Sequence, residues 1–217
     1  MVFAYKITKI FNKLFFMIKA VLFDMDWVLI DAREWHYEAL NKALELFGFT
    51  ITRQEHENYY DGLPTHVKLK RLTEEKWLPE SLHIFINQMK QQYTVDAIYN
   101  NSTVDFSKQV MLKKLKDKWI KIACCSNSIK NSIEMMLNKA MILNYFDLVL
   151  SNEDVKESKP SPQIYELAME KLWVKPEETL VVEDSPHWIE AWTKSWAKVI
   201  IVNNATEVYS SIFKDLL

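Results

Sequence analysis

Ile18-Lys19-Ala20-Val21-Leu22-Phe23-Asp24-Met25-Asp26 is a short apolar run that stops on two carboxylates. A run this short and this apolar reads as a strand buried on both faces, the kind found in parallel sheets. Two acids two residues apart at its carboxyl end can point into one crevice and hold a divalent cation, because open α/β sheets place their ligands there. Further apolar runs follow at 120–125, 148–150, 179–182 and 199–202. Helical periods at 107–118, 129–139, 162–172, 186–195 and 206–215 alternate with them. The pattern predicts an α/β fold, a parallel sheet with helices on both faces.

One stretch departs from the alternation. From 32 to 99 only helical periods occur, beginning with the stripe Trp35, Ala39, Leu40, Ala43, Leu44 and Phe47, which Gly48 closes in a C′ position. Further helices are expected near 53–60, 66–72 and 80–93. A helical insert after the first strand sits where a lid would cover the carboxyl ends of the sheet. The expected organisation is a core of 18–31 plus 100–217, a helical cap of 32–99, and an extension of 1–17 with Met17 as an alternative start.

The extension carries lysines scattered through apolar residues (Lys6, Lys9, Lys13), not the charge block, apolar block and cleavage site of a signal peptide. No run reaches the ~18 apolar residues of a membrane span, and an amphipathic surface helix is the minor alternative. A net charge of -2 supplies no basic field for nucleic acid. With 49% apolar and 26% charged residues the chain can fill a core, which excludes a disordered or fibrous class. The two cysteines, Cys124 and Cys125, are adjacent in an apolar run and make no disulfide framework, as expected of a cytoplasmic protein.

Three more signals fall at strand or helix edges: Ser126-Asn127-Ser128, Lys159-Pro160 and Glu183-Asp184. Singly, each has an ordinary explanation as a solvated turn, an N-cap or a helix entry. Together with Asp24 and Asp26 they run acid, hydroxyl, lysine, acid. Converging carboxylates repel unless a cation joins them, so Mg²⁺ is expected. A serine at a helix start and a fixed lysine suit a phosphoryl group.

The segments Val21-Leu22-Phe23-Asp24-Met25-Asp26, Cys125-Ser126-Asn127, Ser158-Lys159-Pro160-Ser161-Pro162 and Val182-Glu183-Asp184-Ser185 form an ordered set. That set resembles the haloacid dehalogenase (HAD) superfamily, within it the β-phosphoglucomutase and phosphoglycolate phosphatase-like group. The resemblance implies a Rossmann-like core with an inserted α-helical cap. It implies Asp24 as the nucleophile that forms an aspartyl-phosphate, and Asp26 as the acid that protonates the leaving oxygen and then activates water. Ser126 and Lys159, with Asn127, would hold the phosphoryl oxygens. Mg²⁺ would be held by Asp24, the carbonyl of Asp26 and Asp184, with Glu183 in or beside that shell.

In the cap, His36 is expected either at the leaving group and Asp26 or as an interface histidine. Asp61-Gly62-Leu63-Pro64-Thr65 resembles a cap loop that faces substrate, making Gly62 and Thr65 candidate contacts. Related sugar phosphomutases tend to carry an arginine there for a second phosphate. Thr65, His66 and Lys68 stand here instead, which favours a phosphatase. His187 reads as structural, and His56, His66 and His83 show no ligand spacing. The expected activity is Mg²⁺-dependent hydrolysis of a small, sugar phosphate-like metabolite by a monomer or weak dimer, with no nucleic-acid or membrane partner. The alternatives are a phosphomutase and an inactive binding protein of the same fold.

Glycine is scarce. At a usual ~7% the chain would hold about 15, yet it has only Gly48 and Gly62, against eight tryptophans. Trp77, Trp119, Trp173 and Trp196 each close a helical period, at C′ positions where the backbone turns left-handed and glycine is usual. Trp27, Trp188 and Trp192 stand where the resemblance implies glycine or small residues. Only Trp35 lies on an ordinary helix stripe. The pattern suggests a codon, the triplet UGA, that the host reads as glycine and that appears here as tryptophan. The alternative is a divergent, inactive relative.

Overall fold

A computed structural model describes residues 18–184, 197–214 and 216–217. Its sheet is built from β1 (Ala20–Phe23), β2 (Lys121–Cys125), β3 (Leu148–Leu150), β4 (Thr179–Glu183) and β5 (Lys198–Ile201), all parallel, in the order β3-β2-β1-β4-β5. β1 is central, so the chain's first carboxylates emerge in the middle of the sheet edge. Phe23 stands in register with Cys124 of β2 and Val182 of β4. That register brings Asp24, Ser126 and Glu183 to one edge.

Burial on both faces explains the composition of these strands. Val21 and Phe23 join the apolar cluster on one face, Ala20 and Leu22 the cluster on the other. Cys124 and Cys125 divide the same way and are buried free thiols. Helices α5 (Phe106–Asp117) and α6 (Lys130–Lys139) cover the first face through Met111, Leu112, Leu115, Ile133, Met136 and Leu137. Helix α7 (Gln163–Leu172) covers the second through Ile164, Tyr165, Ala168 and Met169.

The insert is helical, with α1 (Arg33–Glu45), α2 (Arg53–Glu55, running on as a π-helical turn His56–Tyr60), α3 (Thr65–Lys76) and α4 (His83–Asn101). Leu40, Leu44, Ile51, Tyr60, Leu69, Leu72 and Ile86 form its own core. Buried Asn41 pins the loop after α1 by accepting from the Ile51 N–H at 2.9 Å and donating to its carbonyl at 3.0 Å. The expected boundary at 99 falls inside α4. Ile86, Lys90, Thr94 and Ile98, four apart, keep one face buried along the helix, Ile86 in the cap core and Ile98 in the core under the sheet. Trp35 of α1 packs against that same lower core.

One expectation changes at the C-terminal end. The helix expected over 206–215 is replaced by short 3₁₀ turns, Ala205–Glu207 and Ser210–Phe213. Tyr209 between them is extended (φ −147°), which lets Val208 and Phe213 both reach the core. The helix expected over 186–195, with His187, Trp188, Trp192 and Trp196, lies outside the described residues. No helix among the described residues is long and apolar enough to cross a membrane.

Of the tryptophans assigned to glycine positions, the four that lie among the described residues all take left-handed backbone. Among the described residues, the non-glycine positions with positive φ are Trp27 (65°), Trp77 (59°), Trp119 (59°), Trp173 (54°) and Met141 (58°). Trp77, Trp119 and Trp173 directly follow α3, α5 and α7 or the single residue that caps them, and are 86%, 92% and 88% exposed. Gly48 fills the equivalent position after α1 at φ 76°.

Candidate active site

Four loops at the carboxyl edge of the sheet supply the core half of one cleft, and the cap supplies the other. After β1, Asp24 stays almost wholly buried while its N–H donates to the Val182 carbonyl at 3.0 Å. The chain then turns back on itself: the Met25 carbonyl accepts from Leu29 and Ile30, and Trp27 donates to the Ile30 carbonyl. This compact turn fixes Asp26 on the cleft side, where it lines the cavity with Asp24.

Lys159 anchors the site. Its ammonium donates to Asp24 Oδ1 at 2.6 Å and to Glu183 Oε1 at 2.9 Å, and the Tyr165 hydroxyl donates to the same Glu183 oxygen at 3.1 Å. All four groups are buried, which makes the pairs short and directional. Burial works against the charged lysine, but Asp24 and Glu183 outweigh it and hold its pKa well above the ordinary value. Glu183 lies behind Lys159 and does not line the cavity, whereas Asp184 does.

After β2, Asn127 acts as a spacer. Its Oδ1 accepts from the Lys159 backbone N–H at 3.0 Å, and its Nδ2 donates to the Lys159 carbonyl at 3.2 Å and to the Gly62 carbonyl at 2.9 Å. One amide thus ties the lysine loop to the cap. Ser126 is buried beside it, its Oγ accepting from the Ser128 N–H at 3.0 Å, which leaves its hydroxyl hydrogen to donate into the cleft.

Asp26 has different company. His36 Nε2 is 3.1 Å from Oδ1, the Ser128 hydroxyl donates to Oδ2 at 3.2 Å, and His36 Nδ1 is 3.3 Å from the Lys90 ammonium. Burial raises the Asp26 pKa, but His36, Lys90 and Ser128 outweigh it and hold the carboxyl below its ordinary value. The opposite holds for Asp24, which burial pushes well up, with Glu183, Asp184 and Asp26 adding to the push against Lys159. Asp184 is pushed up to about 7 by burial and by Glu183. Two carboxylates two residues apart are thereby pushed in opposite directions, Asp24 up and Asp26 down; a cation on Asp24 and an anionic phosphoryl group beside Asp26 would each work against that push.

Asp24, Glu183 and Asp184 each turn one carboxylate oxygen to within 4.8 Å of the others. An all-oxygen, anionic donor set fits a hard divalent cation, and such a cation would relieve the repulsion that raises Asp24 and Asp184.

A family model described as haloacid dehalogenase-like hydrolase matches residues 21–202. The chain belongs to that family. It is 31% identical over 176 residues to the phosphorylated carbohydrates phosphatase of Thermotoga maritima, covering 80% of this chain and 79% of the relative. It is 27% identical over 183 residues to a phosphoglycolate phosphatase of Aquifex aeolicus, covering 84% of each. The β-phosphoglucomutase structure from Clostridium difficile superposes with a TM-score of 0.79 at 24% identity, covering 92% of this chain and 97% of that one, and shares the fold. The chain is therefore a haloacid dehalogenase-like hydrolase whose curated relatives include phosphatases.

The candidates named from sequence as Asp24, Asp26, His36, Gly62, Thr65, Ser126, Asn127, Lys159 and Asp184 line one cavity of this hydrolase, with Glu183 directly beneath. His36 meets Asp26 in the first of its two expected roles. Sequence reasoning missed Arg33, which donates to Asp184 at 2.9 Å and pairs with Asp61 at 2.9 Å while stacking 3.5 Å over Trp27. It missed Lys90 altogether. A usable signal was present: Lys90 interrupts the buried series Ile86, Thr94, Ile98 of α4. Of the three residues that stand in place of the phosphomutase arginine, Thr65 and Lys68 line the cavity. Lys68, on the first turn of α3, is buried and lines the cavity.

Proposed function

We propose that this hydrolase is a Mg²⁺-dependent phosphatase of a small phosphorylated, sugar phosphate-like metabolite, acting through an aspartyl-phosphate on Asp24. The observation that carries this reading is the Asp24–Lys159–Glu183 contact set beside Asp26, because it supplies a nucleophile, a fixed cation and a separate proton donor in one cleft. The named relatives support the substrate class.

The chemistry follows from the positions. An Asp24 carboxylate oxygen attacks phosphorus, the new O–P bond forms, and the ester P–O bond breaks with its electrons on the leaving oxygen. Asp26 gives that oxygen its proton; approach of the anionic phosphoryl group raises the Asp26 pKa and favours the protonated acid. Asp26, now a carboxylate steadied by His36 and Ser128, takes a proton from water as the water attacks phosphorus. Inorganic phosphate leaves and Asp24 is restored. Lys159 and Ser126 hold the phosphoryl oxygens throughout, while Asn127, expected beside them, keeps the lysine loop in place through its three side-chain hydrogen bonds. Asp24, Asp184 and the Asp26 carbonyl, with Glu183 adjacent, would hold the cation, which neutralises phosphoryl charge when bound.

Two measurements test this. Phosphate release from a generic aryl phosphate should fall to background in excess chelator and return on adding Mg²⁺; full activity in chelator overturns the metal dependence. Asp26→Ala should lower kcat by about 10²- to 10⁴-fold, the usual contribution of a positioned acid or base, with a larger loss on alkyl than on aryl esters because poor leaving groups need the proton more. Equal losses on both would remove Asp26 from that role.

A further inference from the structure

Helices α1, α5, α6 and α7 are closed by the same pair of backbone hydrogen bonds. One residue donates its N–H three residues back, and the next donates five residues back. After α1, Gly48 donates to the Glu45 carbonyl at 3.1 Å and Phe49 to the Leu44 carbonyl at 3.2 Å. Trp119 and Ile120 repeat the pair after α5 at 2.9 and 3.1 Å, and Trp173 and Val174 after α7 at 3.0 Å each. Met141 and Ile142 repeat it after α6 at 2.9 Å each. This closure needs left-handed backbone at the donor of the shorter loop, and glycine is its usual occupant. A Cβ built on Gly48 would meet nothing within 4 Å, so glycine supplies this motif with backbone conformation and not with space. Helix α3 ends on a variant in which Trp77 and Leu78 both donate to the Leu72 carbonyl, again with left-handed backbone at the tryptophan.

The indoles return nothing for that strain. Trp77, Trp119 and Trp173 are 86%, 92% and 88% exposed, and tryptophan is seldom left so open to solvent. Trp27 turns the chain after Asp26 at φ 65°, its N–H donating to the Ile30 carbonyl at 2.7 Å. Its ring has partners, Asp31 at 2.6 Å and the Arg33 guanidinium stacked above, yet its backbone occupies the same region as the other three. Trp35, by contrast, lies inside α1 and packs on the core. Among the described residues, five non-glycine positions have positive φ, and four of them are tryptophan. Independent replacement of glycine would favour asparagine and aspartate, which tolerate left-handed backbone best. Met141 shows an ordinary departure from glycine, one residue of another type at one site.

We infer that the protein made in its own cell carries glycine at 27, 77, 119 and 173, through one codon read there as glycine and as tryptophan in the standard reading. The inference uses only backbone conformation and exposure, so it stands apart from the phosphatase reading. In the glycine protein Arg33 keeps its bonds to Asp61 and Asp184 and loses the ring it stacks on.

Peptide mass mapping of the protein isolated from the organism that bears the gene decides it. Glycine masses are expected at 27, 77, 119 and 173, with tryptophan at 35 and methionine at 141 as internal references. A tryptophan mass at any of the four overturns the inference. Sequencing the gene tests the single-codon origin: one triplet is expected at the four positions and a different one at 35. A triplet shared by all five, or several triplets among the four, overturns that origin.

Discussion

Asp24→Asn is expected to reduce phosphate release by more than about 10⁴-fold, the scale on which loss of an enzyme nucleophile is felt. The change preserves volume and leaves an acceptor oxygen toward Lys159, whose ammonium keeps Glu183 as a charged partner at 2.9 Å. Fold and anion affinity should therefore survive. Binding of inorganic phosphate should hold or tighten, since one of the carboxylates that repel an incoming anion has been neutralised. Steady-state phosphate release, phosphate titration calorimetry and a thermal melt check the three parts together. Turnover above about one part in a hundred of the wild type would remove Asp24 from the nucleophile's place, because a neutral amide cannot form the acyl phosphate. Lost phosphate binding together with a large drop in Tm would instead show that the charge was needed to hold Lys159.

Replacing Trp77, Trp119 and Trp173 together with glycine should stabilise the protein by about 3 kcal/mol or more. Each position has φ between 54° and 59°, where a Cβ costs about 1–2 kcal/mol and glycine costs none. Little opposes the gain, because side chains 86–92% exposed bury almost no apolar surface to lose. The three sites lie at the ends of different helices, so their effects should add. For a chain of this length the expected rise in Tm is about 6–12 °C. A fall in Tm, or no change, would mean that the left-handed turns are not what these positions require. Trp27→Gly is deliberately left out, since that ring stacks against Arg33 and its removal changes the cleft.

What the sequence disclosed depended on how local the signal was. The strand ending on Asp24 was legible because an apolar run and the charge that ends it are contiguous. Ser126, Lys159 and Asp184 were legible because each stands just beyond a strand or before a helix, and the topology gathers such ends. Arg33 was not legible: its partner Asp184 is 151 residues away, and no local pattern announces the pair. Lys90 carries a residue type seldom expected inside, so a reading that sends lysines to the surface passes over it. The last helix failed for a different reason. Its apolar residues are met by two short turns with an extended Tyr209 between them, a choice made by packing and not by propensity.

Trp35 acquires an unexpected use from its place on α1. With glycine at the seven positions identified from sequence, it becomes the sole indole in the chain. It packs against the lower core, and the next residue, His36, contacts Asp26. Intrinsic emission would then come from one known point at the junction of cap and sheet. A ligand entering the cleft could be followed by its effect on that single fluorophore, without an attached dye.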